Sequence, residues 1–185
     1  MANRYSQIAF TSTARRNQQI LGSRSFYERF DVGAETNSLL GVKETEFLQS
    51  RDSFYLATVN DDGWPYLQHR GGPVGFVGVL GENTIGFSDF RGNRQFLSMS
   101  NVEHDDRVSL FFMDYPNRRR LKIFGHMKVL DADSEQASAL KDLGDYRAQV
   151  DRAFVIRVVA FDWNCPQHIT PRYRLDEMEL AAAGN

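Results

Sequence analysis

The segment Phe54-Tyr55-Leu56-Ala57-Thr58-Val59, then Asn60-Asp61-Asp62-Gly63, then Trp64 to Arg70, constrains this chain more than any other stretch. Its first six residues are apolar, aromatic or β-branched, and such side chains suit a pleated, half-buried surface. Asn and Asp bond their own backbone and Gly accepts positive φ, so Asn60–Gly63 reads as a tight turn. Strands joined by so short a turn run antiparallel. Pro65 has no N–H for a ladder, which places the returning strand at its own beginning or at a sheet edge.

The same reading predicts strands over Val74–Leu80, Thr84–Ser88, Arg107–Asp114, Arg119–Leu130 and Ala153–Phe161. Helices are expected around Thr13–Leu21, Ser25–Phe30 and Lys43–Ser50. Asp133, with Gln136 three residues on, reads as the cap of a helix running to about Leu143. Strand and helix do not alternate, which excludes a doubly wound sheet. Six or seven hairpin-linked strands with short helices suit a β-rich (α+β) protein built on a small antiparallel barrel. Residues 1–40 are polar and mixed, broken by Gly22 and Gly33, and read as an N-terminal helical arm. The main domain is assigned to residues 41–185.

A formal net charge of −2 argues against general nucleic-acid binding, which favours a basic surface. No apolar run is long enough to cross a bilayer, and the first residues lack the apolar core of a secretion signal. A single cysteine, Cys165, excludes an intrachain disulfide framework and a multi-cysteine metal site. Four scattered histidines offer no metal-ligand spacing. These features lead to the expectation of a cytoplasmic protein.

Four segments carry candidate chemistry. In Gln68-His69-Arg70-Gly71-Gly72-Pro73, His69 and Arg70 point to opposite faces of a strand. The paired glycines either let a ligand approach the backbone or mark a barrel corner. Phe87-Ser88-Asp89 ends a strand, and Gly92-Asn93-Arg94-Gln95 reads as the first turn of a helix capped by Asn93. Helix starts offer free N–H groups to an anion, and a cation there, Arg94, suits a bound phosphate. Asn117-Arg118-Arg119-Arg120-Leu121-Lys122 opens a strand with Arg118, Arg120 and Lys122 on one face, a solvated edge or a source of one ligand donor. Trp163, His168 and Arg172 follow the last strong strand, stiffened by Pro166 and Pro171, and are grouped as a possible pocket wall.

Taken in order, these strings resemble the flavin mononucleotide (FMN)-binding split barrels typified by pyridoxamine 5′-phosphate oxidase. The resemblance runs from about Phe47 to Tyr173, and the Asn164–Ile169 ending with Gly22-Ser23-Arg24 resembles a poorly characterised branch of that group. It implies a six-stranded antiparallel split barrel with short flanking helices, forming a homodimer with two FMN sites at the interface. It implies that Gln68, His69, Arg70 and Gly71 lie along the flavin, with Ser88 and Asp89 at the neighbouring strand end. Asn93, Arg94 and Gln95 match a phosphate-holding Ser-Arg-Lys segment, so Gln95 replaces a lysine. Arg120 stands where the oxidase has a glutamine near the ring system, and Trp163 and Arg172 correspond loosely to residues that reach over from the partner. His168 is the candidate proton donor, since histidine exchanges protons near neutrality.

The substrate-linked positions depart from the pattern. No arginine stands two residues before His168, and Gly72 or Pro73 occupies the place of an expected lysine. The resemblance therefore extends to the cofactor and not to pyridoxamine phosphate as substrate. It implies an FMN-dependent oxidoreductase acting on some other small molecule or electron donor. The same pocket would equally serve a flavin carrier or sensor without turnover, or a barrel that has exchanged flavin for another anion or haem.

Overall fold

The computed structural model describes residues 2–141, 143–163 and 165–178. Seven strands form one sheet: β3 (Ser53–Val59), β4 (Pro65–Gly71), β5 (Val77–Gly81), β6 (Thr84–Phe90), β7 (Arg107–Asp114), β8 (Arg119–Asp131) and β9 (Val150–Trp163). Their order is β4-β3-β7-β8-β9-β6-β5, every pair antiparallel, with β4 and β5 at the open edges. This is a β-rich split barrel, with one strand more than the resemblance implies. Pro65 begins β4, and β4 is an edge strand.

The first hairpin closes as its residues require. Asn60 Oδ1 accepts from the Trp64 amide at 2.8 Å, and Gly63 takes a φ of +84°. Alternation then sorts the strands into faces. Phe54, Leu56 and Thr58 of β3 are buried, as are Val108, Leu110 and Phe112 of β7 and Leu121, Ile123 and Met127 of β8. Phenylalanines fill the centre: Phe54 lies 4.7 Å from Phe112, 5.1 Å from Phe87 and 5.9 Å from Phe76, and Phe87 lies 5.3 Å from Phe154. Such aromatic contacts add to the gain from area burial alone. The Gly72 position explains itself in this core. A Cβ there would stand 2.6 Å from the Phe76 ring, so Phe76 takes up the space that the paired glycines leave, and no ligand is needed to fill it.

Two helix expectations require correction. The helix near Asp133 is α6 (Glu135–Ser138), capped by Ser134, whose side chain accepts from the Ala137 amide. It stops well short of Leu143 because Leu140 is drawn into the sheet face. Its side chain packs over Gly78 and Gly86, and its carbonyl accepts from Ser88 Oγ at 2.9 Å. The helix expected at Asn93 is α5 (Leu97–His104) and begins later. Asn93 Oδ1 instead binds the Gln95 amide at 3.2 Å, and Arg94 and Phe96 take φ values of +58° and +57°. Left-handed backbone cannot propagate a right-handed helix.

The N-terminal segment lies partly on the barrel. It comprises β1 (Ala2–Asn3), α1 (Arg4–Ala9), α2 (Ser12–Ile20), α3 (Arg24–Tyr27), a 3-10 turn and β2 (Glu35–Thr36), which pairs with β1 in parallel. Helix α4 (Val42–Gln49) then leads into β3. The Tyr5 ring stacks on Phe124 of β8 at 4.4 Å, with the Lys122 ammonium 4.6 Å from its centre. Burial, reinforced by the Asp162 carboxylate, pushes the Tyr5 hydroxyl up to about 12. A free phenol titrates near ~10. The raised value means that Tyr5 contributes stability in full below pH about 10, and that this contribution is lost as pH rises through about 12. Chemical denaturation at pH 9 and pH 11 (roughly spanning the onset of phenol ionisation) should show an alkaline loss of stability that is smaller in Tyr5→Phe.

Candidate functional site

Strand β4 presents its residues to two sides of the edge. Tyr66, Gln68 and Arg70 face β6 and α5, whereas Leu67 and His69 face the outside of β3, where His69 meets Tyr55 edge-on at 5.7 Å. The first side forms a cleft of about 160 Å³ walled by β4, the end of β6, the 91–96 loop, the start of α5 and the start of β9. Gln68, Arg70, Asp89, Asn93, Arg94 and Gln95 all line it.

Charge organises this cleft. Arg70 Nη1 lies 2.6 Å from Asp89 Oδ1, and Arg152 Nε lies 3.4 Å from Asp89 Oδ2. Asp89 and Arg152 are register partners across β6 and β9, so the sheet itself sets them side by side. Arg70 reaches from the opposite wall, and its pairing holds edge strand β4 against β6. The Arg70 guanidinium also packs 5.2 Å from the Phe154 ring, and that of Arg152 lies 4.9 Å from Phe96. A second link joins β4 to α5: Ser98 Oγ donates to Gln68 Oε1 at 2.9 Å. Asp151, at the rim, pairs with Arg91 at 2.9 Å, and that hydrogen bond lowers its pKa below the usual carboxylate value. The cleft therefore holds Arg70, Arg94 and Arg152 around the one carboxylate of Asp89, which Arg70 and Arg152 share, with the Arg91-paired Asp151 at the rim.

The remaining predicted residues lie beside the cleft or apart from it. His69, Gly71 and Ser88 border a small adjoining recess between β4 and β6 that shares Gln68 and Arg70 with the cleft, and the Ser88 hydroxyl is committed to Leu140. Arg120, His168 and Arg172 meet in a separate outer groove of about 590 Å³, with Tyr55, Leu67 and Phe111. There Arg120 Nη2 donates to the Cys165 carbonyl at 3.2 Å, and Arg172 stacks 5.0 Å from Tyr115. His168 has a φ of +62°. Trp163 does not join them. Its Nε1 donates to Glu44 Oε1 at 2.7 Å and its ring packs on Phe47, so the grouping of Trp163 with His168 and Arg172 does not hold within one chain. Arg118 sits in the turn before β8 with a φ of +51°, and so shares no strand face with Arg120 and Lys122. Asn164 lies outside the described residues.

Sequence reasoning missed Arg152, Ser98 and Tyr66. A strand begun at Ala153 leaves Arg152 just outside it, and its pairing with Asp89 depends on a β6–β9 register that spans more than 60 residues of chain. A helix begun at Asn93 likewise puts Ser98 in mid-helix, whereas in the fold it is the second residue.

Seven antiparallel strands around a phenylalanine core, with a cationic cleft at the open edge, define a split β-barrel. The family model described as pyridoxamine 5′-phosphate oxidase matches residues 43–163, and the chain belongs to that family. Among solved structures, an FMN-binding protein from Syntrophomonas wolfei is similar, at 12% identity and a TM-score of 0.51, covering 83% of this chain and 95% of that one. HupZ of Group A Streptococcus is similar at 14% identity and a TM-score of 0.51, covering 72% of this chain and 100% of that one. At such identities the likeness bears on the fold. No curated protein matches. No helix of the described residues is long and apolar enough to cross a membrane.

The Arg70–Asp89 pair is largely buried, so its partners should couple. A double-mutant cycle with Arg70→Ala and Asp89→Ala should give about 1–3 kcal/mol of interaction energy in denaturant unfolding, against near zero for a pair that is merely adjacent.

Proposed function

We propose that this chain binds FMN as a homodimer and acts as an oxidoreductase on a small molecule. The observation that carries the reading is the cleft between β4, β6 and α5, where Arg70, Arg94 and Arg152 surround a small polar space. Guanidinium groups match phosphate oxygens in geometry and charge. The start of α5 adds free backbone N–H groups at the same place. The Nε of Arg70, buried without a hydrogen-bond partner among the described residues, fits the presence of a further acceptor there.

Size decides how much of the cofactor one chain holds. Pockets that enclose drug-sized ligands begin at about 300 Å³. A cleft of about 160 Å³ suits a phosphate and part of its polyol chain, not a three-ring system. The rings would lie beyond the cleft, against a second copy of the chain. Exposed apolar residues beside the β4 edge support such a partner, with Trp64 73% and Leu67 64% exposed. In that arrangement Arg120, His168 and Arg172, gathered in the outer groove of one protomer, serve the site of the other.

Bound FMN would supply the hydride or electron transfer. The protein's part is to hold the phosphate through Arg70, Arg94 and Arg152, and to keep β4 in place through Gln68 and Asp89. His168 would move a proton at its imidazole nitrogens, and Arg120, which lines the same groove, would stabilise negative charge. The substrate-linked departures before His168 and at Gly72–Pro73 point away from pyridoxamine phosphate.

The purified protein should be yellow or become so on adding FMN, and should be reduced anaerobically by NADH, NADPH or a small donor. A protein that gains no flavin absorbance sinks the reading. Binding without reduction by any donor leaves a flavin carrier and removes the enzyme. Arg94→Ala should weaken FMN binding by roughly 1.5–3 kcal/mol in a fluorescence titration.

A further inference from the structure

Helices α2 and α3 form a hairpin that the barrel leaves uncovered. No residue of either helix is buried. Helices this short are marginal in water without a packed face. Ile20, at the end of α2, is 72% exposed, Leu21 beside it is 81% exposed, and Phe26 of α3 is exposed as well. The hairpin is also basic. Residues 1–34 hold five arginines against Glu28 and Asp31, whereas the whole chain stands at −2, so the remainder of the chain is acidic. Asp31 takes both Arg15 and Arg24. Arg16 is left exposed, with no carboxylate partner among the described residues.

A surface of opposite character lies on the same chain. A groove of about 370 Å³ runs between Ile8 of α1 and the outer face of the sheet, where Val59, Pro65, Phe124 and Val159 line it. Asp105 stands at its edge, beside Asp106 and the β3–β4 turn that carries Asp61 and Asp62. His104 Nδ1 lies 4.0 Å from Asp61 Oδ1 and so ties this turn to the end of α5. Arg107 and His126 answer Asp105 and Asp106, and Asp62 has no cation at ion-pair distance among the described residues. The groove runs on into the outer groove of His168, with Ala57 and Ser109 lining both. No residue of the hairpin lines the groove of its own chain, although Ile8 borders that groove and α2 starts only four residues later. Hairpin and groove are therefore neighbours that do not meet. A two-fold axis beside the groove carries each hairpin to the other copy's groove, which makes the contact self-complementary.

We propose that the α2–α3 hairpin of one copy docks on the outer sheet face of a second copy, with Ile20 and Leu21 in the apolar groove and Arg16 toward Asp61 and Asp62. The exchange is reciprocal. It covers apolar surface that water otherwise meets, and opposite charges set its register. The docking needs no flavin; it shares with the function proposed above only the homodimer.

Fluorescence-detected sedimentation of the full chain, without added flavin, tests it. The wild type should be a dimer. Leu21→Glu should weaken dimerisation about 10- to 100-fold, and Arg16→Glu and Asp62→Arg about tenfold each. Arg16→Glu combined with Asp62→Arg should regain part of that loss, because the swap restores opposite charges. Unchanged circular dichroism shows that each variant folds; if Leu21→Glu does not, the charge swap decides alone. A monomeric wild type overturns the docking together with the homodimer. A dimer unaffected by Leu21→Glu, or a combined variant no tighter than the weaker of its two parents, overturns the docking and leaves the homodimer and its FMN site standing.

Discussion

Asp89 joins three parts of the molecule that no backbone ladder connects in one place. It lies on β6, takes Arg152 from β9 beside it and receives Arg70 from β4 across the gap. Strand β4 is an edge, hydrogen-bonded along one side only, to β3. The ion pair and the Gln68–Ser98 bond hold its other side to the rest of the barrel. Ion pairs of this kind add little net stability, because desolvation offsets their attraction. Their value here is positional. They set two guanidinium groups at a fixed spacing in the opening of the barrel, and that opening is where a ligand can enter.

The phenylalanine core and the charged cleft are two faces of one constraint. Alternation along each strand sends Phe54, Phe87, Phe112 and Phe154 inward. It then leaves Gln68 and Arg70 on one side of the open edge and Leu67 and His69 on the other. Within one chain the cleft and the His168 groove are therefore separate. A second copy across the exposed β4 edge is the arrangement that would let both serve one ligand.

The strands were legible because local chemistry marks them. Asn60–Gly63 specifies its hairpin, and the periodicity of Arg107–Asp114 survives unchanged in β7. Gln68, Arg70, Asp89 and Arg94 were legible as candidates because glycine-bearing turns flank them. Arg152 was hidden, because its importance lies in a cross-strand register and not in its neighbours. The start of α5 was misplaced because Asn93 makes a local turn instead of a cap, a choice of side-chain partner that composition does not record. The separation of Trp163 from His168 and Arg172 within one chain was hidden for a similar reason. Its indole N–H is claimed by Glu44, a residue of α4 more than a hundred positions away.

The most direct measurement of the central claim is a crystal structure of the protein grown or soaked with FMN. The account predicts the phosphate between β4 and β6, within hydrogen-bond distance of Arg70, Arg94 and Arg152, with the ring system against a second protomer. A phosphate seated in the outer groove beside Arg120 and Arg172, or FMN contained wholly within one chain, would contradict it.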